Sequence, residues 1–133
     1  MAKSWEKYGI HALETVYPIV GPGFKSIQNL GDKNRNIVHL KHSKGIDINI
    51  ANINDMLGGF GLISLMGTKS GIQIKSTDTY YAFKKQLQSY VNYLQTGHKP
   101  VPWNETYELM QLVSAGIESR EKGGMKITLN KDN

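Results

Sequence analysis

Thr79-Tyr80-Tyr81-Ala82-Phe83-Lys84 opens, and Tyr93-Leu94-Gln95-Thr96-Gly97-His98-Lys99-Pro100-Val101-Pro102 closes, the stretch on which the reading of this chain turns. Phe83, Leu87, Val91 and Leu94 recur at three- and four-residue spacing, so they share one face of a helix. Gly97 stands where a helix ends in a left-handed residue, and the prolines after it prevent the helix from continuing. A second helix is expected from Asn104 as N-cap, with Leu109, Leu112, Val113, Gly116 and Ile117 inward. Gly123-Gly124 should stop it, and Met125, Ile127 and Leu129 alternate as a final strand.

Toward the N-terminus the period changes from helical to twofold. Ile46, Ile48 and Ile50 alternate with Asp47, Asn49 and Ala51, the pattern of a half-buried strand. Asn36 to His42 should pair with it across Ser43-Lys44-Gly45. Phe60–Met66 and Gly71–Lys75 read as two further strands joined by Gly67-Thr68-Lys69-Ser70, and Phe24–Leu30 as a weaker one. A first helix runs from Ser4 to about Tyr17, with Trp5, Tyr8, Ala12, Leu13 and Val16 at helical spacing. Pro18 disfavours helical backbone at the residue before it and is expected to end that helix. Strands joined by tight turns pair antiparallel. The expected fold is therefore α+β: one domain over residues 1–133, an open, mainly antiparallel β-sheet with helices packed on one face.

Composition limits the function classes. With 133 residues, 39% hydrophobic and 20% charged, the chain is long enough to bury a core and too apolar to be disordered. No apolar run approaches a membrane span, which favours a cytoplasmic protein without a membrane partner. Cysteine is absent, so disulfide and thiolate chemistry are excluded. The net charge of +5 comes from scattered lysines such as Lys25, Lys41, Lys69 and Lys99. Phosphate-backbone binding needs clustered cations that release counterions, so no nucleic-acid partner is expected.

The glycine phrases do not provide a cofactor loop. Gly58-Gly59-Phe60-Gly61 lacks the spacing and the strand-to-helix setting of a dinucleotide fingerprint. Gly67-Thr68-Lys69-Ser70-Gly71 lacks the upstream glycine of a P-loop. No cofactor is expected on this chain. His39 and His42 are three apart on a strand and point to opposite faces, so they should not share a metal ion. The first helix is more suggestive. Lys7, His11 and Glu14 form one stripe opposite Trp5, Ala12 and Val16. An imidazole between a cation and a carboxylate suits proton transfer, and the same stripe is also an ordinary solvated face.

The word order of the C-terminal third resembles the C-terminal domain of the Gfo/Idh/MocA oxidoreductases, the glucose–fructose oxidoreductase and inositol dehydrogenase family. Glu105-Thr106-Tyr107-Glu108-Leu109-Met110, Ala115-Gly116-Ile117-Glu118-Ser119-Arg120-Glu121 and Gly9-Ile10-His11 carry the resemblance beside the opening stretch. It implies a substrate-binding and oligomerisation domain of an NAD(P)-dependent dehydrogenase acting on a sugar, polyol or related hydroxy compound. In the family, a separate N-terminal dinucleotide-binding domain holds NAD or NADP and the catalytic Lys. That half is not recognisable here, so this chain alone is not expected to be catalytically competent. The resemblance also implies a homo-oligomer, such as a dimer, formed through the sheet face. It makes His11 the proton-handling or orienting residue, within a family segment Asp-x-Gly-x-His that Gly9 and His11 match. Lys7 stands where that segment has Asp, and Glu14 is the carboxylate available from the other side. The alternative is a stand-alone, non-catalytic ligand- or partner-binding module derived from the same domain.

Overall fold

The computed structural model describes residues 4–55, 61–75 and 78–129. Most of the Gly58-Gly59-Phe60-Gly61 phrase and the expected strand start at Phe60 lie outside them. The element order is α1 (Trp5–Val20), β1 (Phe24–Asn29), β2 (Arg35–His42), β3 (Asp47–Ile53), β4 (Leu62–Met66), β5 (Gly71–Lys75), α2 (Thr79–Thr96), α3 (Trp103–Glu121) and β6 (Ile127–Thr128). The chain is α+β, as its periodicities imply.

Four strands form an antiparallel sheet in the order β3-β2-β1-β6. Along β2 the alternation is clean: Asn36, Val38, Leu40 and His42 are buried, and Arg35, Ile37 and Lys41 are exposed. β3 repeats it with Ile48, Ile50 and Asn52 inward. The two strands meet across a turn in which Gly45 takes the positive φ of 77° that side chains resist. α1 and α3 cover the inward face, and Trp5, Leu13, Ile27, Val38, Leu40 and Leu112 are fully buried between the layers.

Trp5 organises the contact between the two helices. Its indole Nε1 donates to the Val113 carbonyl at 3.0 Å. A Cβ placed on Gly9 would come 2.7 Å from the ring, and one on Gly116 would come 2.6 Å from Nε1. Both glycines therefore leave the space that the indole fills. The packing requirement on Gly9 is independent of its place in a resembled motif.

Three expectations need correcting. α1 does not end at Tyr17 but runs to Val20, with Pro18 inside it. Pro18 removes one helical hydrogen bond and sets its ring against the Glu14 carbonyl, and both residues lie on the exposed side, where the backbone can give. Buried Tyr17 and Val20 hold the turn in place. The helix stops where the Gly21 N–H closes on the Tyr17 carbonyl at 2.7 Å. α3 begins at Trp103 with Pro102 as N-cap, not at Asn104.

The largest departure concerns the middle of the chain. Among the described residues, β4 and β5 pair only with each other, as a separate two-stranded sheet, instead of extending the first. α2 buries no residue. Phe83, Leu87, Val91 and Leu94, expected inward, are 49–66% exposed. The helix itself is well made: Asp78 caps its first turn by accepting from the Tyr81 N–H at 2.8 Å, and Gly97 closes it at φ 72°.

Candidate functional site

The Lys7–His11–Glu14 stripe lies where helical phase puts it, on the side of α1 away from the core. His11 Nδ1 and Glu14 Oε2 are 2.9 Å apart, and the two side chains are 49% and 53% exposed. The Tyr8 ring meets the His11 ring edge to face at 5.5 Å between centroids. Thr15 Oγ1 donates to the His11 carbonyl at 2.7 Å, closing this face one turn further on. The structure thus brings His11 and Glu14 together. Lys7 is exposed, and no described ion pair includes it.

Such an arrangement can orient an imidazole. With Nδ1 engaged by a carboxylate, the ring orientation is set. The pair stands in solvent, so its contribution to folding is small, in the range of about 0 to 1 kcal/mol for exposed ion pairs.

His42 and His39 are occupied structurally. His42 is buried against Phe24, ring to ring at 5.2 Å. Its Nδ1 accepts from the Lys44 N–H at 3.2 Å, which leaves the proton on Nε2 to donate to the Pro22 carbonyl at 3.1 Å. His39, on the opposite sheet face, meets Asp47 at 2.7 Å beside Lys41 at 2.6 Å. Those two donors hold the Asp47 carboxyl below the usual range, Lys41 contributing more than His39. Among the described residues, no group of three or more His, Cys, Asp or Glu side chains could hold a metal ion.

Two polar clusters escaped the sequence reading. Glu108 on α3 accepts from the Tyr17 hydroxyl at 2.9 Å and from the Gly23 and Phe24 peptide N–H groups at 2.9 Å each. It ties the end of α1 to the start of β1. Burial, then the Glu108 carboxylate, pushes the Tyr17 phenol well above its ordinary pKa, so it stays a donor. The second cluster crosses the sheet. The Asn29 side-chain amide donates to Asn36 Oδ1 at 2.9 Å, and Arg120 donates to the same oxygen at 3.1 Å. Arg120 also pairs with Glu6 of α1. Ser119 Oγ accepts from the Asn29 peptide N–H at 2.9 Å and donates to the Met125 carbonyl at 2.6 Å. The available signal was the presence of Asn29 and Asn36 at inward strand positions, where a polar residue needs buried partners.

Dinucleotide phosphates do not fit the starts of α2 and α3. They favour a glycine-rich loop that opens a helix with free N–H groups. α2 opens with the Asp78 carboxylate already on its first-turn N–H, and α3 opens on Pro102.

No protein-family model matches the sequence, and no curated protein matches it. Solved structures do resemble it. A protein of Sinorhizobium meliloti 1021 assigned as a myo-inositol dehydrogenase superposes with a TM-score of 0.67 at 14% identity, covering 95% of this chain and 50% of that one. A myo-inositol dehydrogenase from Corynebacterium glutamicum gives 0.63 at 19% identity, covering 98% of this chain and 54% of that one. The Lactobacillus casei myo-inositol dehydrogenase, solved with NAD(H) and myo-inositol, gives 0.63 at 15% identity, covering 93% and 47%. At these identities the likeness speaks for fold. This chain has the fold of a portion of myo-inositol dehydrogenase-type structures, and it spans about half the length of each.

Proposed function

We propose that this chain is the C-terminal, substrate-binding and subunit-contact domain of an NAD(P)-dependent oxidoreductase acting on a sugar, polyol or related hydroxy compound. A dinucleotide-binding half would complete the enzyme. The observation that carries the reading is the coverage: 93–98% of this chain matches only about half of each dehydrogenase. The helix starts described above agree with a cofactor held elsewhere, and no step is assigned to a cofactor on this chain.

Within that reading the exposed face of α1 is the substrate wall. Glu14 meets His11 Nδ1 at 2.9 Å, and His11 is the proton-handling or orienting residue of that wall. Lys7, one turn before His11, would add a positive charge that favours the alkoxide form of a substrate hydroxyl. The outer face of the sheet is the expected subunit contact; it presents Arg35, His39, Lys41 and Asp47 around exposed Ile37.

Joining the chain to a dinucleotide-binding half and following NAD(P) reduction over a panel of polyols tests the proposal. His11→Ala should lower turnover by roughly 10²- to 10⁴-fold and flatten the pH–rate profile, with folding preserved. Normal turnover and an unchanged profile would return His11 to an ordinary solvated face. Absence of polyol oxidation by the wild-type assembly would favour the non-catalytic binding module instead.

A further inference from the structure

α2 carries a seam that no other element covers among the described residues. Tyr80, Phe83, Leu87, Tyr90 and Leu94 are spaced three, four, three and four residues apart, the alternation of a two-helix coiled-coil interface. All five are more than half exposed. An open groove of about 970 Å³ runs along this face, with Tyr80, Phe83, Leu87 and Val91 at its apolar side and Lys84, Gln88, Asn92 and Gln95 along its polar edge. That volume would suit a small ligand, but such sites are concave and bury most of the ligand's surface, and among the described residues a single helix supplies the lining here. A helix face suits it better.

We infer that α2 pairs with α2 of a second copy of this chain, antiparallel, to form a symmetric dimer. This goes beyond the proposed catalytic role and uses a surface distinct from the sheet face. A twofold contact must be self-complementary, and the seam is apolar along its whole length with no charge inside it. Layering Phe83 on the partner's Leu94, and Leu87 on the partner's Tyr90, fills four symmetric layers. Charge selects the direction. α2 carries Lys84 and Lys85 and no acidic residue. A parallel pair would gather four lysines at one height. The antiparallel register separates the centres of the two pairs by about eight residues, roughly 12 Å at 1.5 Å per residue, beyond the Debye length at physiological salt. If each seam side chain offers roughly 100 Å², pairing buries on the order of 1,000 Å² in total, the low end for specific interfaces. At that size the dimer is expected to be weak and concentration-dependent.

The absence of cysteine makes the test direct. Leu87→Cys and Tyr90→Cys full-length chains, mixed and mildly oxidised, should give a disulfide-linked heterodimer several-fold more abundant than either linked homodimer. Light scattering of the unmodified chain at about 100 μM should report a dimer, or a larger symmetric species if the sheet-face contact forms as well. Leu87→Glu should weaken it at least tenfold with an unchanged circular dichroism spectrum, because α2 buries nothing. Ile37→Lys on the sheet face and Tyr107→Glu on the exposed side of α3 should leave the 87–90 cross-link intact. A monomer at that concentration, a dimer indifferent to Leu87→Glu, or preferential 87–87 and 90–90 linkage would overturn the proposal. A dimer lost with Ile37→Lys and insensitive to Leu87→Glu would do so while supporting the sheet-face contact.

Discussion

α1 and α2 are both long amphipathic helices with aromatic residues in their apolar stripes, yet their surroundings are opposite. α1 inserts Trp5 between two glycines and lays Leu13 and Tyr17 on the sheet, and each is at most 5% exposed. α2 presents Phe83 and Leu87 to solvent at 66% and 57%. The difference is not one of helix quality, since α2 has both an Asp78 N-cap and a Gly97 C-cap, while Ser4 makes no side-chain cap on α1. It lies in what each helix can approach. Gly9 and Gly116 let α1 and α3 share an indole, and Glu108 and Arg120 reach from α3 to the ends of α1. No comparable cross-link joins α2 to another element among the described residues.

The comparison breaks most visibly at Trp5. Trp5→Ala should destabilise the fold by about 3–5 kcal/mol, because it removes a fully buried side chain and a buried hydrogen bond together. Urea denaturation followed by circular dichroism measures it. A loss below about 1 kcal/mol would mean that the α1–α3 contact is not the centre of stability.

A smaller effect sharpens the comparison through pH. Burial acts to raise the Glu6 carboxyl, but its pairing with Arg120 and further hydrogen bonds prevail, so its pKa lies below the usual value. A carboxylate depressed by folding contributes stability above its unfolded pKa and loses it as pH falls through the folded one. The stability gap between wild type and Glu6→Gln should therefore be present at pH 7 and shrink as the pH is taken below roughly 4. Part of the Glu6 side chain is in solvent, so salt should narrow the gap further. A gap that widens in acid would contradict the pairing as the cause.

Smallest of all is the expected effect of Phe83→Ala. Measured in dilute, monomeric chain, it should fall within about ±0.5 kcal/mol, although it removes an aromatic side chain as Trp5→Ala does. A loss near that of Trp5→Ala would show that α2 is packed against its own chain in solution.

The sequence by itself determined the elements. Period two along Ile46 to Ala51, period 3.6 in the helices, and Gly45, Gly97 and Gly123-Gly124 at their ends act over a few residues, so they are legible without the fold. They also put Lys7, His11 and Glu14 on one side of α1, and the structure adds the 2.9 Å contact between the last two. What tertiary structure alone decided is which apolar face becomes core. Periodicity gives the direction of a face but not its partner, so α2 read as inward and stands uncovered. Pro18 was misread for a related reason: a local preference predicts a stop, and the burial of Tyr17 and Val20 outweighs it. Glu108 and the Asn29–Asn36–Arg120 network were invisible because their partners lie 84 to 91 residues away for Glu108 and 84 for Arg120 on Asn36. Hydrogen bonds at that separation leave no period in the chain; only the packing of α3 against β1 and α1 brings the groups within reach.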